Sequence, residues 1–444
     1  MNWVYMLKKK YPVVLEDQIL YWMRGSHDSD IRHVTVFKGR IDINRLERAI
    51  RLCLCAEPVL GSRFVPGMFR SYWEQVKDFG TKPLCTLVES SDYDDDFGRF
   101  MTDTPGTDLF CGPQIKCFVL RSKNDTLLIK INHVAGDGGG LKDFMKLLSS
   151  TYSRLLNNPD YIPTVNNGRR GFDQVWENLS YKDNLKILRR SFRDAKSFLF
   201  PPKYFFKSLG KNKRKGKCMI VRRIKPDDFR GVINYAKNHG ATLNDIMVAA
   251  HLRSFFTTIS PDAFPRLVIT ADVRRYIPGG QAEAVCNLSG FFYLNPGNSL
   301  GSTFNDTLKI VHKSIGNMKD DYLAMGNFPL TTMAFKSLPF PAALWLHNRL
   351  GNLQKKQTMT KGVTAPLFTN TGPFEPDRLV FDELPVNNAY ITTTVAWPPV
   401  VSLCLSGFKG GMTMTTGFCE SFIKRQQVEA FLDKFINELI TLTL

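Results

Sequence analysis

The 444-residue chain lacks any apolar run of the roughly 18 residues needed to cross a bilayer. Its opening residues, MNWVYMLKKKYPVV, contain no stretch typical of a secretory signal. The nine cysteines form no C-x-x-C pair and their number is odd, which favours reduced thiols over a disulfide framework. We therefore expect a cytoplasmic protein that does not span a membrane, although it could associate with the surface of one.

Other absences exclude classes of function. The glycine-rich stretch at 136–140 is not followed by Gly-Lys-Ser/Thr, so it does not predict a nucleotide-hydrolysing phosphate loop. No recognition motif accompanies the net charge of +18, so nucleic acid is not an expected partner. Six of the seven histidines stand in no recognisable constellation and receive no role: His27, His33, His239, His251, His312 and His347.

The length exceeds one ordinary hydrophobic core, which predicts two lobes. We place an N-terminal lobe at residues 1–165, a basic linking segment at 166–217 and a C-terminal lobe at 218–444. Between residues 169 and 225 there are 18 Lys or Arg and four acidic residues, a net +14. Most of the excess charge of the protein therefore lies in one segment.

Within that segment, YKDNLKILRRSFRDAKSFLF has the periodicity of an amphipathic helix. One side would carry Leu185, Leu188, Phe192 and Leu199, and the adjacent side Lys182, Lys186, Arg189, Arg193 and Lys196. KNKRKGK, at 211–217, is predicted to be an exposed loop. Three interpretations stay open for residues 169–217: a solvated linker, a surface for acidic partners such as CoA phosphates or an acyl carrier protein, and a peripheral membrane contact.

Local patterns predict several elements. Residues 42–54 form a helix that Asp42 can cap, and residues 117–132 form a hairpin with a turn at 123–125. Residues 141–156 have the spacing of an amphipathic helix. In the second half, Thr242 or Asn244 can begin a helix. Strand and helix patterns occur in both halves, and we expect an α/β fold.

The hairpin leads into Asn132-His133-Val134-Ala135-Gly136-Asp137-Gly138. His133 follows a strand end, and we expect the glycines to adopt backbone shapes that other residues resist and to leave space above its ring. A neutral imidazole in such a place is a good general base near pH 7. Asp137 could orient that ring, or it could hold the loop by pairing with an arginine elsewhere.

This stretch resembles the H-H-x-x-x-D-G signature of the CoA-dependent acyltransferase superfamily, which includes chloramphenicol acetyltransferase, peptide-synthetase condensation domains, wax-ester synthases and alcohol acetyltransferases. Asn132 stands where the signature has its first histidine, and His133 matches the second, catalytic one. ITADVRRYIP places Arg274 where the superfamily has an arginine that pairs with the signature aspartate. FTNTGPFEP, with Asn370, resembles its Asn-x-x-Gly-Pro segment. The Asp-Phe-Gly-Trp-Gly segment of the plant branch is absent.

The resemblance implies a fold and a reaction. The fold has two chloramphenicol-acetyltransferase-like lobes, each a mixed sheet with helices, with an active-site tunnel between them. The reaction moves an acyl group from acyl-CoA or a phosphopantetheine thioester to an alcohol or amine, without a covalent intermediate, a tightly bound cofactor or a metal. His133 is the general base.

The resemblance also implies roles around that base. Asn370 is the candidate oxyanion donor, unless it only caps a turn. Asp137 and Arg274 (or Arg275) form a structural pair, and Asn132 and Gly138 support the site. Because the first histidine is missing, a non-catalytic condensation-like binding domain stays open, as does a membrane or carrier-protein binding module.

Overall fold

A computed structural model describes residues 10–25, 27–68, 70–77, 83–199, 216–259, 266–297, 299–319, 322–326, 366–396 and 401–443, and scattered positions between 329 and 352. For residues 94, 95 and 193–199 it describes the backbone alone. The described chain forms two α/β lobes, as the sequence predicts.

The elements of the N-terminal half are β1 (Lys10–Pro12), α1 (Leu15–Met23), β2 (Asp30–Phe37), α2 (Ile43–Ala56), β3 (Ser62–Val65), β4 (Tyr72–Gln75), β5 (Cys85–Glu89), α3 (Tyr93–Asp103), β6 (Ile115–Arg121), β7 (Asp125–Asn132) and α4 (Gly138–Asn157). The linking segment contains α5 (Asp173–Trp176) and α6 (Tyr181–Leu199). The C-terminal half contains β8 (Lys217–Ile224), α7 (Pro226–Asn238), α8 (Leu243–Thr258), β9 (Leu267–Asp272), β10 (Ser289–Leu294), α9 (Phe304–Lys319), β11 (Leu367–Pro373), β12 (Val386–Thr392), β13 (Ser402–Phe408), β14 (Gly411–Cys419) and α10 (Arg425–Ile440).

The first lobe is built on a five-stranded sheet in the order β12-β2-β7-β6-β5. β6 and β7 pair antiparallel from Ile115↔Ile131 to Arg121↔Asp125, which confirms the predicted hairpin. α2 and α4 pack together over this sheet and bury residues such as Leu46, Ile50 and Phe144. A small sheet, β1-β4-β3, completes the lobe. His133 therefore follows a strand that is paired on both sides.

The second lobe has a six-stranded sheet in the order β10-β9-β11-β13-β14-β8. α8 packs between α9 and α10, and all three bury apolar faces in one core. α8 is buried over most of its length, which explains why its sequence shows no single apolar stripe.

The two cores do not divide the chain at one point. β12 pairs with β2 of the first lobe, from Val386↔Phe37 to Thr392↔Arg32. The segment before it adds Phe374 and Phe381 to the first core. The C-terminal half therefore contributes a strand and core side chains to the N-terminal lobe. A boundary at residue 218 divides the sequence, but residues from beyond it are part of the first core.

Side-chain caps set the helix starts. The Asp42 carboxylate accepts hydrogen bonds from the backbone of Asn44 and Arg45, which confirms the predicted cap of α2. Thr242, rather than Asn244, caps α8, in a reciprocal capping box with Asp245. α4 begins at Gly138, earlier than the predicted residue 141, because the Asp137 side chain accepts from Gly140 N.

The glycines of the motif serve close packing and not unusual backbone angles. None of those at 136–140 has a positive φ. A Cβ on Gly139 would lie 2.5 Å from Arg274 Nη1, and one on Gly140 would lie 2.8 Å from the Cys286 carbonyl oxygen. The expectation of unusual backbone shapes and open space was wrong here: at these two positions, the missing side chains let the second lobe approach.

Candidate active site

Asn132 closes the turn that carries His133. It is buried, its Oδ1 accepts a hydrogen bond from Val134 N at 3.1 Å, and its Nδ2 donates to Thr107 Oγ1 at 3.1 Å. His133 N donates to the Ser29 carbonyl at 2.7 Å. An amide can both accept and donate in this way, so Asn132 holds the loop at the position where the resembled signature has its first histidine.

The His133 ring is half-buried where the two lobes meet. Its Nδ1 is buried without a hydrogen-bond partner in the described part of the chain, and Nε2 is the accessible nitrogen. Burial lowers the pKa of His133 to about 4, with a further lowering from His27. Asp137 and the backbone at His133 and Gly136 act in the opposite direction. The ring is therefore neutral at pH 7 and has an exposed nitrogen that can accept a proton.

His27 is a neighbour that sequence reasoning missed. Its ring centroid lies 5.7 Å from that of His133, with the rings inclined at 46°. His27 Nδ1 lies 2.7 Å from the Asp28 carbonyl oxygen, which can only accept, so the hydrogen is on Nδ1. The segment is held beside the site by a bridge to Ala396. No signal in the sequence connects residue 27 with the motif, because the contact arises between distant segments.

Asp137 accepts five hydrogen bonds and is 1% exposed. Two come from Arg274, at 3.0 Å each. The others come from Gly140 N, Leu288 N and Ser289 Oγ, each at 2.8 Å. Burial alone would raise the pKa of Asp137, but the Arg274 charge and these donors hold it below its usual value. The carboxylate thus joins the His133 loop to the second lobe.

Arg274, and not Arg275, contacts Asp137. The Arg274 guanidinium is 4% exposed and also donates to the Cys286 carbonyl at 3.0 Å. The Arg275 side chain is exposed and its Nε donates to the Asp272 carbonyl instead. The alternative that the sequence left open is thereby resolved in favour of Arg274.

A second buried network holds the same loop, and the sequence did not predict it. Arg170 donates to Asp17 Oδ2 and to the Ala135 carbonyl, both at 2.6 Å, and to the Val285 carbonyl at 2.9 Å. Asn287 Nδ2 donates to the Val134 carbonyl at 3.0 Å. Arg170, which the sequence assigns to the basic segment, is therefore a buried inter-lobe residue and not part of the exposed charge.

Asn370 lies exposed on β11 of the second sheet. Its Nδ2 donates to Asn244 Oδ1 at 3.4 Å, and its Oδ1 accepts from Gly372 N at 3.0 Å. The strand comes to the start of α4, where the Lys142 ammonium donates to the Thr371 carbonyl and, at 3.0 Å, to the Pro373 carbonyl. No hydrogen bond joins Asn370 to His133 among the described residues.

Gly138 marks where β11 meets the motif. A Cβ built on it would lie 3.6 Å from Thr371 Cγ2, an ordinary van der Waals contact. On the other side of Thr371, Gly372 has φ +70°, which favours glycine. The segment after Asn370 therefore turns at Gly372 and contacts the first lobe at Gly138.

The basic segment only partly matches the expected amphipathic pattern. α6 is present, but the buried ones among its described side chains are Ile187, Arg190 and Ser191, and Phe192 is exposed. Leu199, Arg193, Lys196 and residues 211–215 of the KNKRKGK stretch lie outside the described side chains. In the described chain no helix is long and apolar enough to cross a membrane.

The sequence matches no family model and no curated protein. Solved structures do match over nearly the whole chain. The first condensation domain of the CDA synthetase has a TM-score of 0.70 at 14% identity, covering 98% of this chain and 96% of the other. The trichothecene 15-O-acetyltransferase TRI3 of Fusarium sporotrichioides has a TM-score of 0.69 at 12% identity, with the same coverage.

Polyketide synthase associated protein 5 of Mycobacterium tuberculosis has a TM-score of 0.64 at 12% identity, covering 96% of this chain and 97% of the other. The chain therefore has the two-lobe fold of condensation domains and acetyltransferases, and the predicted fold class is confirmed. At these identities the likeness concerns the fold.

Proposed function

We propose that this protein is an acyltransferase that moves an acyl group from a CoA or carrier-protein thioester to an alcohol or amine. The observation that carries the proposal is His133, a neutral imidazole with an accessible Nε2, held at the junction of the lobes by two buried networks. The fold supports it, since solved structures with this fold include condensation domains and an O-acetyltransferase.

In the proposed reaction, His133 Nε2 takes the proton of the acceptor hydroxyl or amine as that atom attacks the thioester carbonyl. The carbonyl π electrons move to oxygen and form a tetrahedral oxyanion. When this collapses, the carbon–sulfur bond breaks, and the imidazolium returns its proton to the leaving thiolate. Protons and electrons balance without a covalent enzyme intermediate, because the same imidazole accepts the proton and later returns it.

The low pKa of His133 has two consequences for this proposal. In the free enzyme the His133 ring is unprotonated over the whole neutral pH range, so it is in the form that can accept a proton from the acceptor. The imidazolium that forms during the reaction is unstable in its buried position, which favours return of the proton to the thiolate. The His27 ring, 5.7 Å away, adds to this lowering of the His133 pKa.

The oxyanion needs a donor, and Asn370 Nδ2 is our candidate. Its amide is exposed, and the Nδ2 hydrogen bond to Asn244, the one seen within the described ranges, is long at 3.4 Å, so a substrate could replace it. Asp137 and Arg274 hold the loop, Asn132 closes its turn, and Gly138 allows β11 to lie close. None of these needs to touch the substrate.

The test measures thiol release from acyl-CoAs of short to long chain length, with mixed alcohol and amine acceptors. Wild type is compared with His133→Ala and with His239→Ala, which changes an exposed histidine of the second lobe. Acceptor-dependent release that His239→Ala keeps and His133→Ala loses supports the proposal.

The same panel on an acylated carrier protein separates the two donor classes. If neither donor supports acceptor-dependent release, or if folded His133→Ala remains fully active, the catalytic proposal is wrong. A non-catalytic binding domain is then favoured, and the position of Asn132 in place of a histidine is the observation consistent with it.

A further inference from the structure

Between Tyr181 and Phe192, where its side chains are described, α6 packs against the protein by one face. Ile187 is fully buried, Ser191 is 1% exposed and Arg190 is 3% exposed. Arg190 Nη1 donates to the Met318 carbonyl at 3.0 Å at the end of α9, which fixes the helix against the second lobe. Residues spaced three and four apart share one side of a helix, so these three define the inward face.

A second, outward side carries apolar residues. Tyr181 is 77% exposed and Phe192 is 64% exposed. They are about three helical turns apart and lie on the same side, roughly 16 Å from end to end. Leu185 and Leu188 lie between them and are only partly covered. The side of α6 that carries Leu185, Leu188 and Phe192, the most apolar by sequence, is therefore not the side that packs in the core.

Three cations flank this apolar band. Lys182, Lys186 and Arg189 are exposed. At 100° per residue they lie beside the band, on the side away from Ser191. The outward surface of α6, defined as Tyr181, Leu185, Leu188 and Phe192 with these three cations, is thus an apolar stripe with a positive edge.

We propose that the outward surface of α6 docks on an anionic membrane surface. The aromatic rings would lie among the lipid headgroups, and the three cations would pair with lipid phosphates and carboxylates. Charge complementarity supports this occupant, since Lys182, Lys186 and Arg189 are exposed beside the apolar band. An acidic protein would match the cations, but it would leave two aromatic side chains without a function unless it offered a groove.

This inference does not involve His133 and does not depend on acyl transfer. It is tested by sedimentation with phosphatidylcholine vesicles with and without phosphatidylserine, at low and high salt. We expect binding only to vesicles that contain phosphatidylserine, and weaker binding at high salt.

Two variants test the two parts of the surface. Lys182→Gln/Lys186→Gln/Arg189→Gln and Tyr181→Ser/Phe192→Ser should each weaken binding at least about tenfold. The matched controls are Lys38→Gln/Lys237→Gln/Lys313→Gln, which removes the same charge from exposed positions, and Met68→Ser, at a residue that is 72% exposed. Both controls should bind as wild type does.

Insertion of the aromatic side chains into the membrane can be measured separately, by tryptophan fluorescence. In a Phe192→Trp variant, the added fluorescence should shift to shorter wavelength on phosphatidylserine vesicles and be quenched by brominated lipid, whereas Met68→Trp should show neither effect. The proposal is overturned if wild type does not sediment at low salt, or if the charge variant binds as well as its control. It is also overturned if an acidic carrier protein, and not the vesicles, binds through these residues.

Discussion

The imidazole ring of His27 lies 5.7 Å from that of His133, centroid to centroid, although the two residues come from separate segments. His27 Nδ1 is committed to the Asp28 carbonyl at 2.7 Å. Burial is the main cause of the low pKa of His133, and the nearby His27 ring lowers it further, because two cations at this distance would repel each other.

Replacing His27 by Gln should therefore raise the pKa of His133. The acid limb of kcat/KM should move to higher pH, with a change of less than about tenfold at pH 8, where His133 is neutral in both proteins. Full pH profiles of the two proteins measure this. An unshifted limb, or an equal loss of activity at every pH, would mean that His27 acts only through the structure of its segment.

For wild type, the pKa of about 4 at His133 predicts an unusual pH dependence. The base works when deprotonated, so kcat/KM should rise with pH through about 4 and be flat to neutrality, instead of rising through the ordinary value of 6.5. His133→Ala should lower kcat by about 10²–10⁴. An acid limb near 6.5 with a stable fold would contradict the burial of the ring in the active enzyme.

Arg274→Met should destabilise the protein by about 3–5 kcal/mol, because it leaves the Asp137 carboxylate buried without its counter-charge. Arg275→Met is the matched control, since that side chain is exposed, and it should change stability by less than about 0.5 kcal/mol. Urea unfolding of both variants provides the comparison. Equal effects would show that the carboxylate does not depend on Arg274.

Asn370→Ala should lower kcat by about 10²–10³ with little loss of stability, because an exposed amide that donates to the oxyanion contributes about 2.7–4 kcal/mol. Asn244→Ala removes only the neighbouring amide and should retain most of the activity. If Asn370→Ala raises KM and leaves kcat unchanged, Asn370 binds substrate and another group must donate to the oxyanion.

Buried histidines should make the protein sensitive to acid. Burial lowers the pKa of His33 and His251 to about 3 each, from 6.5. Between pH 3 and 6.5 these two histidines bind protons in the unfolded chain but not in the folded protein. The free energy of unfolding should therefore fall as pH drops below about 6.5, by up to about 1.4 kcal/mol per pH unit for each histidine.

His251→Leu isolates one of these contributions. Neither ring nitrogen of His251 has a hydrogen-bond partner in the described chain, and the ring packs among Phe255, Phe368 and Phe431. Leucine removes the buried polar atoms, so the variant should be at least as stable at pH 7 and lose less stability between pH 6.5 and 4. A loss of stability at pH 7 with an unchanged pH slope would contradict this.

The sequence by itself determined the local parts of this protein. The β6–β7 hairpin, the cap at Asp42, a helix start at Thr242 or Asn244 and the delivery of His133 to a strand end all depend on residues that are close in the chain. Turn chemistry, helix capping and apolar periodicity act over a few residues, so they can be read without the fold. The chain length predicted two lobes, and the resemblance carried by the motif added their chloramphenicol-acetyltransferase-like architecture.

Only the tertiary structure decided which distant groups meet. It selected Arg274 over Arg275, buried Arg170 against Asp17, and placed His27 beside His133. It also moved β12 into the first sheet and turned the apolar side of α6 outward. These outcomes depend on shape complementarity and on the pairing of buried charges between segments far apart in the chain, and no local pattern encodes such pairings.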